Sequence, residues 1–179
     1  MNDALEQVIL VDMDDREIGR AGKLEAHRQG QLHRAVSICI VDGEGRMLLQ
    51  RRAAVKYHSP GLWANACCSH PRPGEATLAA ALRRLPEELG FSCALTPLAT
   101  THYRADVGGG LIEDEFVHLF IGRYEGEVKP VPAEVDGVAW VAYGPLKADM
   151  AENPGNYCYW FRHYVGAFGE KLFSLPAGT

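Results

Sequence analysis

Gly74-Glu75-Ala76-Thr77-Leu78-Ala79-Ala80-Ala81-Leu82-Arg83-Arg84-Leu85-Pro86-Glu87-Glu88-Leu89-Gly90-Phe91 is the stretch on which the fold turns. Its Ala- and Leu-rich run from Glu75 to Leu89 predicts a helix, stopped by Gly90. Arg84 and Glu88 are four residues apart, as are Arg83 and Glu87, so each pair shares a helix face. On the plainest reading these are two ion pairs worth about 0.2–0.5 kcal/mol each. Pro86 is out of place, because its ring meets the carbonyl of Leu82 and costs about 3 kcal/mol in a regular helix interior. A kink or bulge is therefore expected just before Glu87 and Glu88.

Outward from this helix the pattern alternates irregularly. Gln7 to Asp12 reads as a strand, followed by a turn at Asp14-Asp15-Arg16, and Lys23 to Arg28 as a short helix or turn. Ala35 to Val41 is β-rich. The turn Asp42-Gly43-Glu44-Gly45 and the run Met47 to Arg51 complete a predicted hairpin. Leu62 to Ser69 reads as one short extended segment, Phe116 to Ile121 and Gly137 to Val141 as strands, and the aromatic tail Tyr157 to Phe173 as helical. Hairpins mixed with helices predict an α+β fold with a mixed sheet and helices on both faces. No repeat or linker-like block divides the 179 residues, so one domain over residues 1–179 is expected.

Composition narrows the function. A net charge of −5 argues against a general nucleic-acid binder. No run approaches the ~18 apolar residues of a membrane span, and MNDALEQVIL lacks the pattern of a signal peptide, so a cytoplasmic location is expected. Five cysteines without a C-x-x-C pair argue against a disulfide framework. The dense basic stretch Gln50 to Lys56 is either a solvated turn or part of an anion site.

Three constellations carry chemistry. In the extended segment Asn65-Ala66-Cys67-Cys68-Ser69-His70-Pro71, alternation puts Cys68 and His70 on one face, Cys67 and Ser69 on the other. Such a Cys/His pair serves as a nucleophile with its base, as an acid beside a metal ligand, or as two inert buried residues. In Glu113-Asp114-Glu115 the two glutamates share a face. Adjacent carboxylates repel unless a cation joins them, so this is a metal site or a solvated acidic loop. His27, His33 and His70 would complete an N/O site for a divalent ion if the fold brought them together.

The helix resembles the Nudix box, G-x5-E-x7-R-E-U-x-E-E-x-G-U with U apolar. Glu75, Arg83, Leu85, Glu87, Glu88, Gly90 and Phe91 match it, while Ser69 replaces the leading Gly and Arg84 replaces the Glu after the Arg. From about Val8 to Phe161 the chain is similar to the type I isopentenyl-diphosphate isomerases, a branch of that superfamily. The resemblance implies a Nudix-type mixed β-sheet sandwiched between α-helices. Through the N-x-x-C-x-H-P motif it implies that Cys68, rather than Cys67, is catalytic, with Glu115 of the E-x-E motif as its counterpart. Tyr103 would assist Glu115, and Trp160 would face the reacting carbons. His27, His33, His70, Glu113 and Glu115 would hold one divalent ion (Mn2+, Mg2+ or Zn2+). The His27–His33 spacing is a residue shorter than the family's. Lys23, Arg52, Lys56 and Arg84 would bind a diphosphate. Its Mg2+ would sit on Glu88, with the backbone carbonyl of Cys68 as a further contact.

The implied reaction is the 1,3-allylic proton shift between isopentenyl and dimethylallyl diphosphate, a small-molecule conversion in isoprenoid biosynthesis with no nucleic-acid or membrane partner. A nucleoside-diphosphate hydrolase is the rival enzyme. It needs the full glutamate set of the box, which Arg84 breaks. A non-catalytic metal-binding protein is the other rival, and it gives no reason for Cys68, Glu115, Tyr103 and Trp160 to occur together.

Overall fold

A computed structural model describes residues 6–56 and 58–175; residues 1–5, read above for a leader pattern, lie outside it. Nine strands join in one sheet, whose main path runs β2-β1-β3-β4-β5. β1 is Gln7–Val11, β2 Glu17–Gly22, β3 His33–Val41, β4 Met47–Arg52 and β5 Trp63–Asn65. β6 (Cys67–Ser69), β7 (Leu95–Gly108), β8 (Leu111–Arg123) and β9 (Val135–Val141) branch from that path. Four α-helices pack around it: α1 Lys23–Gln29, α2 Thr77–Leu89, α3 Tyr143–Glu152 and α4 Tyr159–Phe168. No helix among the described residues is long and apolar enough to cross a membrane.

The sheet separates two cores, and the period-2 alternation of β3 shows how. Ile38 and Ile40 face Ala81, Leu85 and Leu89 of α2. Ala35, Cys39 and Val41 face the other way, toward Phe161, Tyr164 and Val165 of α4. The mixed sheet with helices on both faces is thus the observed architecture. β3 pairs parallel with β8 and antiparallel with β6, while β7 and β8 form a long hairpin through Gly108-Gly109-Gly110.

Other expectations are corrected. β3 and β4 share only the pair Val41–Met47, and β4 spends its length on β5 and β9. The extended segment 62–69 splits into β5 and β6, which pair with different strands. The box helix begins at Thr77, not Glu75, and Glu75 instead accepts from Arg83 Nε at 2.7 Å and from the backbone N–H of Arg72 at 2.8 Å. The helix runs unbroken across Pro86, so the expected bulge is not there. Pro86 lies in the last turn, where the only donor lost is its own, and the carbonyl of Pro86 still accepts from Gly90 N–H at 3.1 Å.

Gly90 ends α2 in the left-handed region at φ 73°. A Cβ there would lie 2.5 Å from the backbone oxygen of Lys129. The loop is fixed at this point, since Lys129 N–H donates to Leu89 O at 3.0 Å and Val131 N–H to Glu88 O at 2.9 Å. Gly74 also has positive φ but open space around it. Gly74→Ala should therefore cost only the left-handed strain of about 1–2 kcal/mol. Gly90→Ala should cost about 1–3 kcal/mol more, because backbone must move. Thermal melts of the two variants measure the difference, and equal melting temperatures would mean that the Lys129 loop yields without cost.

Candidate active site

Strand register builds the site before any long side chain is considered. His33 lies beside Glu115 in the β3–β8 ladder, Ser37 opposite Cys68 in β3–β6, and Tyr103 opposite Glu115 in β7–β8. Glu113 and Glu115, two apart on β8, turn their side chains to the α4 face of the sheet, as do Val117 and Leu119. α1 adds Lys23 and His27, four residues apart, and α4 adds Trp160. These elements surround a cavity. Cys68, Glu115, Tyr103 and Trp160 line it, together with Lys23, Arg52, Lys56, Arg84 and Glu88. His70 and Glu113 also line it, and His27 and His33 stand fully buried behind them. Every residue singled out from the sequence thus comes to one place. Cys67 goes to the α2 core and Cys68 to the cavity, as alternation requires, although Ser69 also reaches the cavity wall.

His27, His33, His70 and Glu115 bring one ligand atom each within 4.8 Å of one another. A second group with the same property joins His27 and Glu113 to His58. The donor set fits a divalent cation. His27 Nδ1 lies 2.8 Å from Lys23 O and His33 Nδ1 2.8 Å from Gln31 O, contacts in which the ring N–H donates to the carbonyl and leaves Nε2 to the cluster. That is the arrangement by which proteins orient ligating imidazoles. His70 Nε2 lies 3.0 Å from Glu115 Oε1 and 3.2 Å from His33 Nε2.

The carboxylates are polarised against each other. Burial raises Glu113 well above the usual carboxylate range, and the neighbouring charge of Glu115 adds to it. Burial would raise Glu115 too, but its contacts with His33 and His70 outweigh it and hold that group well below its ordinary value. Tyr103 Oη reaches Glu113 Oε2 at 2.9 Å and Glu115 Oε2 at 2.8 Å. A phenol has one proton to give, so both contacts are satisfied together when Glu113 holds a proton of its own. Burial lowers His70 to about 3 and lowers His27, so both imidazoles stand neutral, the ligating form.

Cys68 is held by two polar neighbours. Its Sγ lies 2.9 Å from Ser37 Oγ and donates to Asn65 Oδ1 at 3.3 Å. Asn65 is itself fixed by donating to Ser37 Oγ at 3.0 Å and to Ile38 O at 2.9 Å. Burial pushes the Cys68 thiol up to about 12, against a lowering by the Ser37 contact. Cations of the cavity are matched by acids: Lys56 with Glu134 at 2.6 Å, Lys23 with Glu6 at 3.0 Å, and Arg84 with Glu88 at 2.6 Å. The Arg52 guanidinium stands 5.2 Å from the ring centroid of Trp160.

Sequence reasoning missed His58, Ser37, Glu134 and Tyr164. Ser37 was legible in principle, four residues along β3 from His33 and so on the same face. His58 gave only a weak signal, its place two residues after Lys56.

Residues 31–161 match the NUDIX domain family. Solved structures agree on the fold. DR0079 from Deinococcus radiodurans superposes with a TM-score of 0.70 at 20% identity, over 82% of this chain and 90% of that one. A MutT protein from Methanosarcina mazei gives 0.62 at 18% identity, over 75% and 91%. Fold and donor set together thus define a NUDIX-domain protein with a His/Glu group able to hold a metal ion. Curated relatives narrow the class. The isopentenyl-diphosphate Delta-isomerase 1 of Aromatoleum aromaticum is 53% identical over 155 residues, covering 87% of this chain and 88% of the relative. The isopentenyl-diphosphate Delta-isomerase of Burkholderia multivorans is 51% identical over 164 residues, covering 92% and 93%. The chain belongs to the isopentenyl-diphosphate Delta-isomerase family of NUDIX proteins.

The capacity of the cluster for a divalent ion can be tested by stability. An ion present at 1,000 times its dissociation constant stabilises by about 4 kcal/mol, and a chelator should lower the melting temperature accordingly. Re-addition of Mn2+ or Zn2+ should restore it. A melt indifferent to both treatments would show that the cluster holds no ion.

Proposed function

We infer that this protein interconverts isopentenyl and dimethylallyl diphosphate, by adding a proton at one carbon and removing one two bonds away. The observation that carries this reading is that Cys68 and Glu115 line one cavity together with four cationic side chains. An alkene is a very weak base, and its protonation creates a tertiary carbocation. The site must therefore supply an acid, a base, a dry wall and a charged anchor.

Each need has a residue suited to it. Cys68, kept protonated by burial, is the proton donor on one side of the hydrocarbon. Glu115 is the acceptor on the other, and Tyr103 is placed to pass its proton on. Lys23, Arg52, Lys56 and Arg84 take the diphosphate, exchanging the carboxylates of Glu6, Glu134 and Glu88 for phosphate oxygens. Released from Arg84, Glu88 is placed to hold the Mg2+ that arrives with the substrate. The Cys68 carbonyl is a second contact for it. When bound at the His/Glu cluster, a divalent ion (Mn2+, Mg2+ or Zn2+) neutralises the two glutamates and tunes their acidity. Its protein ligands on this reading are His27, His33, His70, Glu113 and Glu115. We propose further that residues 1–179 act as one isomerase domain, a reading supported by the single sheet that joins all nine strands.

Incubation with isopentenyl diphosphate and Mg2+ in deuterated water tests the reaction. Deuterium should appear in dimethylallyl diphosphate, and unlabelled product would exclude a proton shift through solvent-exchanged groups. Nucleoside diphosphates should release no phosphate. Cys68→Ala should abolish turnover, whereas Cys67→Ala, on the α2 side, should keep most of it. Comparable activity in the two would move the catalytic thiol elsewhere.

Trp160 separates chemistry from packing. A π face attracts a desolvated cation by up to about 2 kcal/mol, or roughly 30-fold in rate. Trp160→Phe keeps a weaker face, and Trp160→Leu keeps only volume. The single-turnover rate should fall in the order Trp, Phe, Leu with little change in KM. Equal rates for Phe and Leu in equally stable proteins would reduce Trp160 to a wall.

A further inference from the structure

The loop 53–62 between β4 and β5 carries Lys56 and closes on Arg52. Arg52 N–H donates to Leu62 O at 2.9 Å, and Gly61 N–H to Arg52 O at 3.0 Å. Its residue Val55 is 79% exposed, yet His58 is only 9% exposed. The backbone oxygen of His58 accepts from Arg52 Nη2 at 3.1 Å, which fixes the residue over the cavity. Its imidazole enters the metal cluster. The ring stacks on His27 with centroids 5.9 Å apart, meets Trp160 edge-on at 5.9 Å, and places Nδ1 3.5 Å from Glu113 Oε1.

A histidine drawn this far inward from an exposed loop costs desolvation, which packing against two rings and a carboxylate offsets only in part. Coordination would offset it fully. The ligand atoms of His27, His58 and Glu113 lie within 4.8 Å of one another. Around an ion with bonds of about 2.1 Å, donors stand roughly 3 to 4.2 Å apart, so a small contraction suffices. This group and the group of His27, His33, His70 and Glu115 share His27, whose Nδ1 is committed to Lys23 O. One Nε2 serves one ion, so a single ion that uses both groups requires them to close on one another around His27.

We propose that His58 is a further protein ligand of that ion, donating through Nδ1. The inference rests on the metal reading above and goes beyond the ligand set that the family resemblance supplies. It has a structural consequence. The loop that presents Lys56 to the diphosphate would then be tied to the metal, so that loading the ion orders the anion-binding end of the cavity.

Co2+ is the probe, because its visible absorption reports the number and geometry of its donors. The full-length protein is stripped with chelator and titrated with Co2+ alone. His58→Leu fills the same space without a donor, His58→Asn keeps an oxygen near the position of Nδ1, and His58→Gln extends one toward Nε2. His58→Leu should bind Co2+ about tenfold or more weakly, with an altered visible spectrum. Asn should lose less than Gln, and added imidazole should restore the spectrum of His58→Ala. Unchanged affinity and spectrum in folded His58→Leu would overturn the proposal. So would weakened affinity with an unchanged spectrum, which would mean that His58 acts through Glu113 or through packing. A wild-type protein that binds no Co2+ would bring down the metal reading itself, and this inference with it.

Discussion

Two carboxylates of like charge are buried two residues apart on one strand, and much of the molecule answers that constraint. Glu113 is 2% and Glu115 7% exposed. Left alone, such a pair is among the costliest arrangements a fold can carry. Part of the cost is met by giving the two groups different states. His33 and His70 hold Glu115 ionised, and Tyr103 bridges it to a Glu113 that keeps its proton. The rest calls for a cation, and the surrounding imidazoles are aimed for one by bonds to Lys23 O and Gln31 O. The placement of β3 between β8 and β6 follows the same need. It sets His33 against Glu115 at one point and Ser37 against Cys68 four residues on.

The cations of the cavity resolve an apparent contradiction of composition. A chain of net charge −5 is a poor candidate for an anion binder unless its basic groups are gathered locally. They are gathered, and Lys23, Lys56 and Arg84 are each matched by a carboxylate, Arg52 by the carbonyl of His58. Such pairing keeps buried guanidinium and ammonium groups from being stranded. Burial opposes the charge on Arg84, and Glu88, Cys67 and Glu87 together more than restore it. The departure from the hydrolase box at Arg84 therefore has a physical meaning. An additional glutamate would add negative charge where, on the function proposed above, the site gathers positive charge for a diphosphate.

Much of this was legible because alternation is a strict rule. Two positions on a strand share a face whatever the rest of the chain does, which is why Cys68 with His70 and Glu113 with Glu115 could be paired from sequence. The resemblance supplied the partners that lie far apart in the chain, such as His27 and Tyr103. What stayed hidden had weak local signals. β7 carries polar residues on both faces and breaks register between Pro97 and Ala99, so its 14 residues show no clean alternation. α3 buries only Leu146 and Met150 and opens on Gly144-Pro145, which read as a turn. His58 sits among Ser59, Pro60 and Gly61, residues that announce a surface loop and conceal a buried imidazole. At Pro86 the expected bulge is absent, and the helix runs on to Gly90 with the Pro86 donor missing.

The protonation states set by the fold also give the reaction its reversibility on this reading. Burial keeps the proton on Cys68, and hydrogen bonds keep it off Glu115, so an acid and a base stand ready before any substrate enters. After one turnover the proton has moved from the first group to the second. Tyr103, in contact with both glutamates, offers the route by which that imbalance is undone, since a proton gained by Glu115 can pass to the phenol once Glu113 gives up its own. Running backward, the same path loads Glu115 first and makes Cys68 the acceptor. A site with two fixed acids or two fixed bases would complete half of the exchange and stop. The unequal pair, fed through one phenol, works in both directions because its two states differ only in where a single proton rests.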